Sequence, residues 1–385
     1  MRVMIAGGGT GGHVYPGIAI YHALEQLGDG VDVLFVGAKS GVEGGIFSDL
    51  GLPHVLLSGR AVRGTSLLSK LASPFVLLGS VLRGVGEIKA FKPDVVVGTG
   101  GFASVAIVVA SIVCGKKRVL QEQNSVPGMA NRLLSRFAQL VLLSYRESRS
   151  FFGDRVACAV VGNPLRIKPN GNRDKAYEFF DLKPGLQTVL VFGGSRGART
   201  INEAAGSAIK SILSKRKVQF VFLTGTNDYE NVREDLASFA EDICVMPFLE
   251  EIDLAYAIAD VAVSRAGASA VFELAAFGVP SIFVPYPYAA DDHQARNVTE
   301  LAQMGGAVVI ENKKLNSDVL DTMIVSLLDD GPRREEMSDK MKAWSPRDAD
   351  IQAAIKINEV ARFDKMPLER HERNSLRTGQ PESVG

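Results

Sequence analysis

Cysteine is scarce in this 385-residue chain, and its formal net charge is zero. The three cysteines (Cys114, Cys158 and Cys244) lie far apart and form no CxxC pair, which argues against a disulfide framework and favours a reducing, cytosolic compartment. Lys plus Arg and Asp plus Glu both number 43, so the overall basic excess typical of nucleic-acid-binding proteins is absent. The N-terminus lacks the basic, apolar and cleavable regions of a signal peptide.

A run without charged residues, 95–115, is long enough to cross a bilayer. It is interrupted by Gly98, Gly100 and Gly101, directly after three valines. Glycines at these positions favour a turn over a continuous apolar helix. We therefore predict a short strand, a glycine turn and a helix over residues 102–114 that is apolar on all sides, and not a transmembrane span.

Short apolar runs alternate with helical segments along the whole chain, which predicts an α/β protein with parallel sheets covered by helices on both faces. A break at residues 162–164 divides it into two units, in line with about 100–200 residues per domain. We expect residues 1–163 and 164–346 to form two doubly wound domains facing a central cleft. A helix at 347–363 should rejoin the first domain, and 364–385 should be a disordered tail. The first helix should span about residues 16–27, and the expected strands are 3–6, 33–36, 55–57, 95–97, 119–120, 140–143, 157–161, 188–192, 220–223, 244–246, 261–264, 282–284 and 308–310.

A glycine-rich loop follows the first strand of each unit. The first loop, residues 7–12, fits the pattern GxGxxG, and the second reads GGSRGA at 193–198. A dinucleotide site would need a carboxylate at the end of the second strand, but residues 35–39 read FVGAK. Neither loop ends in Gly-Lys as a Walker loop does. The first loop still suits a phosphate or a sugar, and the alternative is a tight turn that binds nothing.

His13 directly follows the first glycine-rich loop. The helix dipole lowers the pKa of a histidine at a helix N-terminus and favours the neutral form, which can accept a proton. His13 is therefore a candidate general base, and the alternative is a histidine that hydrogen-bonds to the turn. No His, Cys or carboxylate cluster has the spacing of metal ligands, so neither a metal nor a cofactor is expected. We interpret Asp348-Ala349-Asp350 as a solvated helix face.

Residues 261–294 carry the densest set of site signals. A strand ends at Ser264, and the helix that follows opens with small residues, which let a diphosphate approach the backbone closely (Ala266, Gly267, Ala268, Ser269 and Ala270). Glu273 lies one to two turns inside this helix. There it can accept hydrogen bonds from both ribose hydroxyls or simply complement the helix dipole.

Five motifs occur in one order: GGGTGGHVYPG at residues 7–17, QEQN at 121–124, VGNPLR at 161–166, GGSRGA at 193–198 and SRAGA…E…DHQ at 264–294. Together they closely resemble the MurG family of glycosyltransferases, which has the GT-B fold of two facing Rossmann-like domains. The resemblance covers about residues 1–363. This sequence departs from the family pattern at three positions. Gln121 stands where histidine is usual, and Phe102 stands where tyrosine is common. Ala270 replaces a usual threonine, whose hydroxyl could help hold a phosphate.

The resemblance implies a role for each matching residue. His13 matches the proposed general base, and Thr10, Gly11 and Gly12 match a loop that approaches the donor and acceptor diphosphates. Asn124 and Gln294 match residues that face the donor sugar. The remaining positions match contacts to the UDP moiety: Arg166, Ser195, the backbone of Leu249 at the uracil, the helix start formed by Ala268, Ser269, Ala270, Val271 and Phe272, and Glu273 at the ribose.

The implied reaction transfers GlcNAc from UDP-GlcNAc to the C4 hydroxyl of lipid-linked MurNAc-pentapeptide, converting lipid I to lipid II with inversion at the anomeric carbon. The implied partners are UDP-GlcNAc, lipid I, an anionic membrane surface and other cell-wall synthesis proteins, with no nucleic acid. Two other function classes stay open. One is a GT-B enzyme with a different nucleotide sugar or a soluble acceptor, and the other is a non-catalytic nucleotide-binding protein.

A polyprenyl acceptor and a chain without a convincing span together predict a peripheral enzyme on the cytoplasmic face of the bacterial inner membrane. The best candidate for docking is residues 67–83, whose charge-free part is bracketed by Lys70 and Arg83. An apolar face rimmed by cations would insert shallowly and attract anionic lipids. The alternative is that residues 71–82 form a buried helix of the first sheet. The cations of the rim would include Arg60, Arg63, Lys116, Lys117 and Arg118.

Overall fold

The computed structural model describes residues 1–28, 30–59, 67–169, 171–194 and 197–363, and for residues 67–74 the helical backbone. The tail predicted at 364–385 lies outside the described residues, as does Ser195. Two parallel sheets with helices on both faces make up the described part of the chain, which confirms the predicted GT-B class.

The first sheet has seven parallel strands, in the spatial order β3-β2-β1-β4-β5-β6-β7. Its central strand β1 pairs with β2 and β4, so that Val3 lies beside both Val33 and Val95. All three valines are buried, because both faces of the sheet are covered. The strands are β1 (Arg2–Gly7), β2 (Asp32–Ala38), β3 (His54–Leu57), β4 (Val95–Gly100), β5 (Lys117–Glu122), β6 (Leu140–Leu143) and β7 (Cys158–Val160).

Helices α3, α4 and α5 cover one face of this sheet. Val81 of α3 and Ile107 of α4 pack on Met4 and Val96, and Leu134 of α5 packs on Val141. Helices α1 and α2 cover the other face together with α15, the last helix of the described chain. The helices are α1 (Gly11–Gln26), α2 (Glu43–Asp49), α3 (Leu67–Phe91), α4 (Gly101–Val113), α5 (Met129–Leu134) and, from the end of the chain, α15 (Ala349–Arg362).

The second sheet has six parallel strands in the order β10-β9-β8-β11-β12-β13. Its strands are β8 (Thr188–Phe192), β9 (Gln219–Leu223), β10 (Ile243–Met246), β11 (Val261–Ser264), β12 (Ser281–Phe283) and β13 (Ala307–Val309). Its helices are α6 (Arg173–Phe180), α7 (Arg199–Leu213), α8 (Tyr229–Asp235), α9 (Ile252–Ile258), α10 (Ala268–Phe277), α11 (His293–Asn297), α12 (Thr299–Gln303), α13 (Ser317–Asp329) and α14 (Gly331–Trp344).

Aromatic side chains join the two units beneath the cleft. Tyr145, which follows β6, stacks edge-on against Phe272 of α10, with the ring centroids 5.1 Å apart. Trp344, at the end of α14, lies 4.7 Å from the same phenylalanine ring. Beyond this cluster, α15 returns to the first unit, where Ala353 and Ile357 are buried against α1 and the sheet.

Three local predictions were wrong. Helix α1 begins at Gly11 and not near Pro16, because Pro16 is tolerated inside the helix, where it deprives only the first-turn carbonyl of Gly12 of a donor. Strand β4 continues through Gly98 to Gly100 before α4 begins. Asp350 is not solvated, since it is buried and pairs with the Lys168 ammonium at 2.8 Å. No helix in the described ranges is long and apolar enough to cross a membrane.

Candidate active site

The carboxyl ends of the central strands bring the glycine-rich loop, Gly100 and the QEQN segment to one edge of the first sheet. His13 lies in the first turn of α1 at this edge and is half-buried. Its Nδ1 lies 3.3 Å from the amide oxygen of Gln123, and its backbone carbonyl accepts a 2.7 Å hydrogen bond from the Thr99 hydroxyl. Gly100 has a φ of 113°, and a Cβ there would lie 2.6 Å from Nδ1, so the ring packs where only glycine fits.

The pKa of His13 is lowered from its usual value. Burial is the largest cause, because a desolvated imidazolium is unfavourable. The carboxylate of Glu122 and the hydrogen bond that His13 donates to the Gln123 amide oxygen act in the opposite direction but are smaller. The resulting neutral imidazole can accept a proton, as expected of a general base.

Glu43 at the start of α2 holds the glycine-rich loop, and sequence reasoning missed it. Its buried carboxylate accepts hydrogen bonds from the backbone N–H of Gly9 at 2.9 Å and of Ala38 at 2.7 Å. A Cβ on Gly8 would lie 2.0 Å from this carboxylate, and one on Gly41 would lie 1.9 Å from it. The only signal in the sequence was the set of glycines that surround Glu43 in the fold.

The QEQN segment begins in the last two residues of β5 and is fixed by Glu122. This carboxylate accepts from the backbone N–H groups of Asn124 and Gly128 and from the side-chain amide of Asn131, at 2.8–3.1 Å. The Asn124 side chain is thereby presented toward the second unit. There its amide oxygen meets Asn297, a buried residue of α11 that sequence reasoning also missed.

The N-termini of α1 and α10 face each other across the cleft. A Cβ built on Gly12 would lie 3.9 Å from the hydroxyl oxygen of Ser269. Both helices begin with small residues. The N-terminus is the positive end of a helix dipole, so two positive ends meet at this point of the cleft. Two converging helix N-termini suit a diphosphate. Within α10, the side chains of Val271 and Phe272 are buried and Ala270 packs against the core of the second unit, which leaves Ser269 and Glu273 partly exposed beside the cleft.

Glu273 lies beside the same cleft and accepts a 2.9 Å hydrogen bond from the hydroxyl of Tyr256. Burial raises the pKa of this carboxyl to about 7, and the hydrogen bond from Tyr256 and the charge of Arg166 lower it in part. The side chain is therefore poised between its neutral and ionised forms near neutral pH, which is uncommon for a residue that only complements a helix dipole.

Arg166 connects both units at the cleft. Its guanidinium stacks over the Tyr15 ring of α1, 4.3 Å from the centroid, and donates a 2.7 Å hydrogen bond to the carbonyl of Glu250. The neighbouring Leu249 is buried in the core of the second unit, so only its backbone can meet a ligand. Gln294 is half-buried, and its amide oxygen accepts from the backbone N–H of Tyr286 at 2.9 Å, which leaves the amide N–H groups to donate.

Two family models match the chain, the glycosyltransferase family 28 N-terminal domain over residues 3–143 and the glycosyltransferase family 28 C-terminal domain over residues 188–352. The chain is 41% identical over 341 residues to the UDP-N-acetylglucosamine–N-acetylmuramyl-(pentapeptide) pyrophosphoryl-undecaprenol N-acetylglucosamine transferase of Chlorobaculum parvum, covering 88% of this chain and 93% of that one. It is 39% identical over 365 residues to the protein of the same name from Prosthecochloris aestuarii, covering 94% and 99%.

Solved structures match over a similar length. MurG of Acinetobacter baumannii has a TM-score of 0.72 and 28% identity, covering 93% of this chain and 99% of that chain. A UDP-GlcNAc 2-epimerase from Neisseria meningitidis bound to UDP-GlcNAc has a TM-score of 0.67 at 13% identity, a likeness of fold alone.

Proposed function

The chain belongs to glycosyltransferase family 28 and, within it, to the MurG transferases, and from this membership we propose that it converts lipid I to lipid II. In this reaction GlcNAc passes from UDP-GlcNAc to the C4 hydroxyl of undecaprenyl-diphospho-MurNAc-pentapeptide. The observation that carries the proposal is the cleft at which half-buried His13, in the first turn of α1, lies beside the converging N-termini of α1 and α10. Residues 1–163 with α15 form the acceptor side, and residues 164–346 bind UDP-GlcNAc.

The chemistry requires a base and a place for the leaving group. His13 takes the proton of the C4 hydroxyl as its oxygen attacks the anomeric carbon from the face opposite UDP, so a β1→4 bond forms with inversion. The bond from the anomeric carbon to the diphosphate breaks, and the diphosphate leaves with its added negative charge. The N-termini of α1 and α10, with Thr10, Gly11 and Gly12 on one side and Ser269 on the other, stabilise that charge.

The donor is held along the second unit. Glu273 accepts the ribose hydroxyls, and the backbone at Leu249 meets the uracil beside Arg166. Gln294 donates its amide N–H groups to hydroxyls of the sugar, since its oxygen is already engaged by Tyr286. Asn124 reaches the same sugar from the first unit.

The acceptor is a membrane lipid, and the layer α3-α4-α5 supplies an apolar surface for it. We define the docking face as the exposed apolar side chains of this layer: Phe75, Leu78 and Leu82 of α3, Val113 of α4, and Met129, Leu133 and Phe137 of α5 and the 3₁₀ turn after it. Phe75 is 77% exposed and Leu78 is 56% exposed, while Val81 and Ile88 of the same helix are buried in the core. Several large apolar side chains exposed on one helical layer suit an interaction surface.

Cations beside the docking face favour an anionic membrane as its partner. Arg83 and Arg136 are exposed within the same helical layer. Lys117 was wrongly predicted to belong to this rim, because its ammonium donates to the carbonyl of Ala361 in α15, on the opposite face of the sheet. Arg60 and Arg63 lie outside the described residues. The proposed location is therefore peripheral, at the cytoplasmic face of the inner membrane.

The deciding experiment is turnover of UDP-GlcNAc with a short-chain lipid I analogue. Release of UDP and formation of the disaccharide are the two quantities measured. A panel of other UDP sugars and of soluble aglycones separates this function from that of a GT-B enzyme with a soluble acceptor. Transfer to a soluble aglycone without transfer to lipid I would contradict the proposal. Binding of UDP-GlcNAc without any transfer would indicate a non-catalytic protein.

A further inference from the structure

Gln121 and Gln123, which alternate with Glu122 across the end of β5, lie on one side of the strand behind His13. Both glutamines are buried, so each amide must find partners inside the protein. Their hydrogen bonds form a chain that starts at the His13 ring and leads away from the cleft.

The orientation of the Gln123 amide follows from its partners. Its nitrogen lies 2.5 Å from the backbone carbonyl of Thr99, a group that can only accept, and it also donates to the amide oxygen of Gln121. The amide oxygen of Gln123 must therefore face His13 Nδ1, at 3.3 Å. An amide oxygen can only accept, so Nδ1 must carry the hydrogen.

The Gln121 amide is fixed in the same way. Its oxygen accepts from Gln123, and its nitrogen points to the hydroxyl of Ser144 at 3.3 Å and the amide oxygen of Asn163 at 3.5 Å. The Thr99 carbonyl prevents the Gln123 amide from turning over, because two acceptors would then face each other. The chain behind His13 therefore has a single polarity and no charge of its own.

From this geometry we propose that Gln123 is a positioning residue that holds His13 as the Nδ1–H tautomer. The Nε2 atom, on the other side of the ring, then keeps its lone pair for the acceptor hydroxyl. The alternative tautomer would place a hydrogen where the base must accept one. The proposal rests on the proposed function, in which His13 takes the proton of the C4 hydroxyl.

The test measures the tautomer and the kinetics separately. In protein labelled with ¹⁵N-histidine, with the His13 signals assigned by their loss in His13→Ala, wild type should show a protonated Nδ1 and an unprotonated Nε2. Gln123→Met removes the acceptor with little change in size and should move the ring toward the Nε2–H form. The wrong histidine tautomer costs about 10⁴ in kcat in serine proteases. Since neutral Gln123 can be replaced in part by water, we expect kcat to fall by about 10–10³-fold, with KM for UDP-GlcNAc within twofold.

Gln139→Met is the matched control. Gln139 also uses its amide oxygen to accept a hydrogen bond, from the N–H of Arg118 at 2.7 Å, but it precedes β6 at the opposite end of the sheet. Its substitution should change neither the His13 tautomer nor kcat. If the methionine variant fails to fold, the wild-type ¹⁵N spectrum alone still decides whether Nδ1 or Nε2 of His13 carries the hydrogen.

A wild-type spectrum with Nε2–H would overturn the inference, whatever the variants do. An unchanged tautomer in Gln123→Met, or a raised KM with unchanged kcat, would also overturn it, because either would show a merely structural glutamine. The tautomer is recorded without substrate. Failure of the wild-type protein to use lipid I would therefore contradict the proposed function while the spectra still decided the role of Gln123.

Discussion

The amide nitrogen of Asn297 lies 3.3 Å from the amide oxygen of Asn124, and the two residues belong to different units. Asn297 is only 1% exposed. Its oxygen accepts both the backbone N–H and the hydroxyl of Ser125, at 2.9 and 3.0 Å, and its nitrogen also donates to the carbonyl of Ala266. One side chain of α11 thus fixes the QEQN segment of the first unit against the loop that precedes α10.

Asn297→Ala should therefore lower both stability and donor affinity. The donors of Ser125 lose their acceptor, and an unsatisfied buried donor costs about 1–3 kcal/mol. Asn124 loses the contact that aims it at the donor sugar, so KM for UDP-GlcNAc should rise several-fold. Thermal melting and steady-state kinetics measure the two effects. In the control Asn316→Ala, which removes the N-cap of α13 far from the cleft, stability alone should fall. An unchanged KM in Asn297→Ala would separate this contact from donor binding.

His13→Ala should lower kcat by about 10²–10⁴-fold, the usual effect of losing a general base. Binding of UDP-GlcNAc should change little, because the ring is held by Gln123 and Gly100 on the acceptor side. Single-turnover kinetics with a lipid I analogue and calorimetry with the donor test both statements. His22→Ala, on the exposed side of the same helix, is the matched control and should behave like wild type. Near-normal turnover in His13→Ala would exclude this residue as the base.

UDP binding should strengthen as the pH rises through about 7. The ribose hydroxyls donate to an ionised carboxylate, whereas burial raises the pKa of Glu273 to about 7 in the free protein. Below that pH the carboxyl is mostly neutral and must lose a proton on binding. The Kd for UDP should therefore increase by about tenfold for each pH unit that the pH falls below 7. Above it, Kd should be flat. Calorimetry with UDP from pH 5.5 to 8.5 measures the curve.

Two variants assign this pH dependence to Glu273. Glu273→Gln should weaken UDP and UDP-GlcNAc alike at pH 8, by roughly the 1.5–3 kcal/mol of a charged hydrogen bond, and should flatten the curve. Tyr256→Phe removes the hydrogen bond that lowers the carboxyl pKa, so the midpoint should move to higher pH. A curve that keeps its midpoint in Glu273→Gln would place the titrating group elsewhere.

Gln294→Ala should weaken UDP-GlcNAc while sparing UDP. The side chain's free N–H groups are proposed to meet the sugar, which UDP lacks. Losing about one hydrogen bond corresponds to roughly 0.5–1.5 kcal/mol, or a two- to twelvefold increase in Kd for UDP-GlcNAc. Calorimetry with both ligands makes the comparison. Equal losses for the two ligands would remove Gln294 from the sugar site.

The fold followed from the sequence because both sheets are parallel and covered, so most strands contain a nearly continuous apolar run. Every strand of the described structure lies on a run predicted from the sequence. Glu43 and Asn297 could not be predicted, because their roles depend on contacts between residues that are distant in the sequence. Their contacts join residues 34 and 172 positions apart, and neither residue sits in a recognisable local pattern. The proposed role of Gln123 likewise depends on His13, Thr99 and Gln121, which come together only in the folded protein.

The docking face and the core side of α3 can be separated by mutation. Phe75 and Leu78 are exposed, whereas Val81, on the same helix, packs into the core. Stability should therefore depend on the inward residue, and membrane binding on the outward ones. Phe179→Ser offers a control in the second unit, because Phe179 is also exposed but lies on α6, away from the docking face.

Replacing Phe75 and Leu78 together by Ser should lower binding to anionic vesicles by at least about tenfold, since burying an apolar side chain of this size contributes about 1.5–3 kcal/mol. The melting temperature should stay nearly unchanged, as should turnover of a water-soluble acceptor analogue. Val81→Ser should instead lower the melting temperature, and Phe179→Ser should bind vesicles like wild type. Vesicle sedimentation and thermal melting decide the outcome. A large fall in melting temperature in the double variant would show that these residues are core, and unchanged vesicle binding would move the docking face elsewhere.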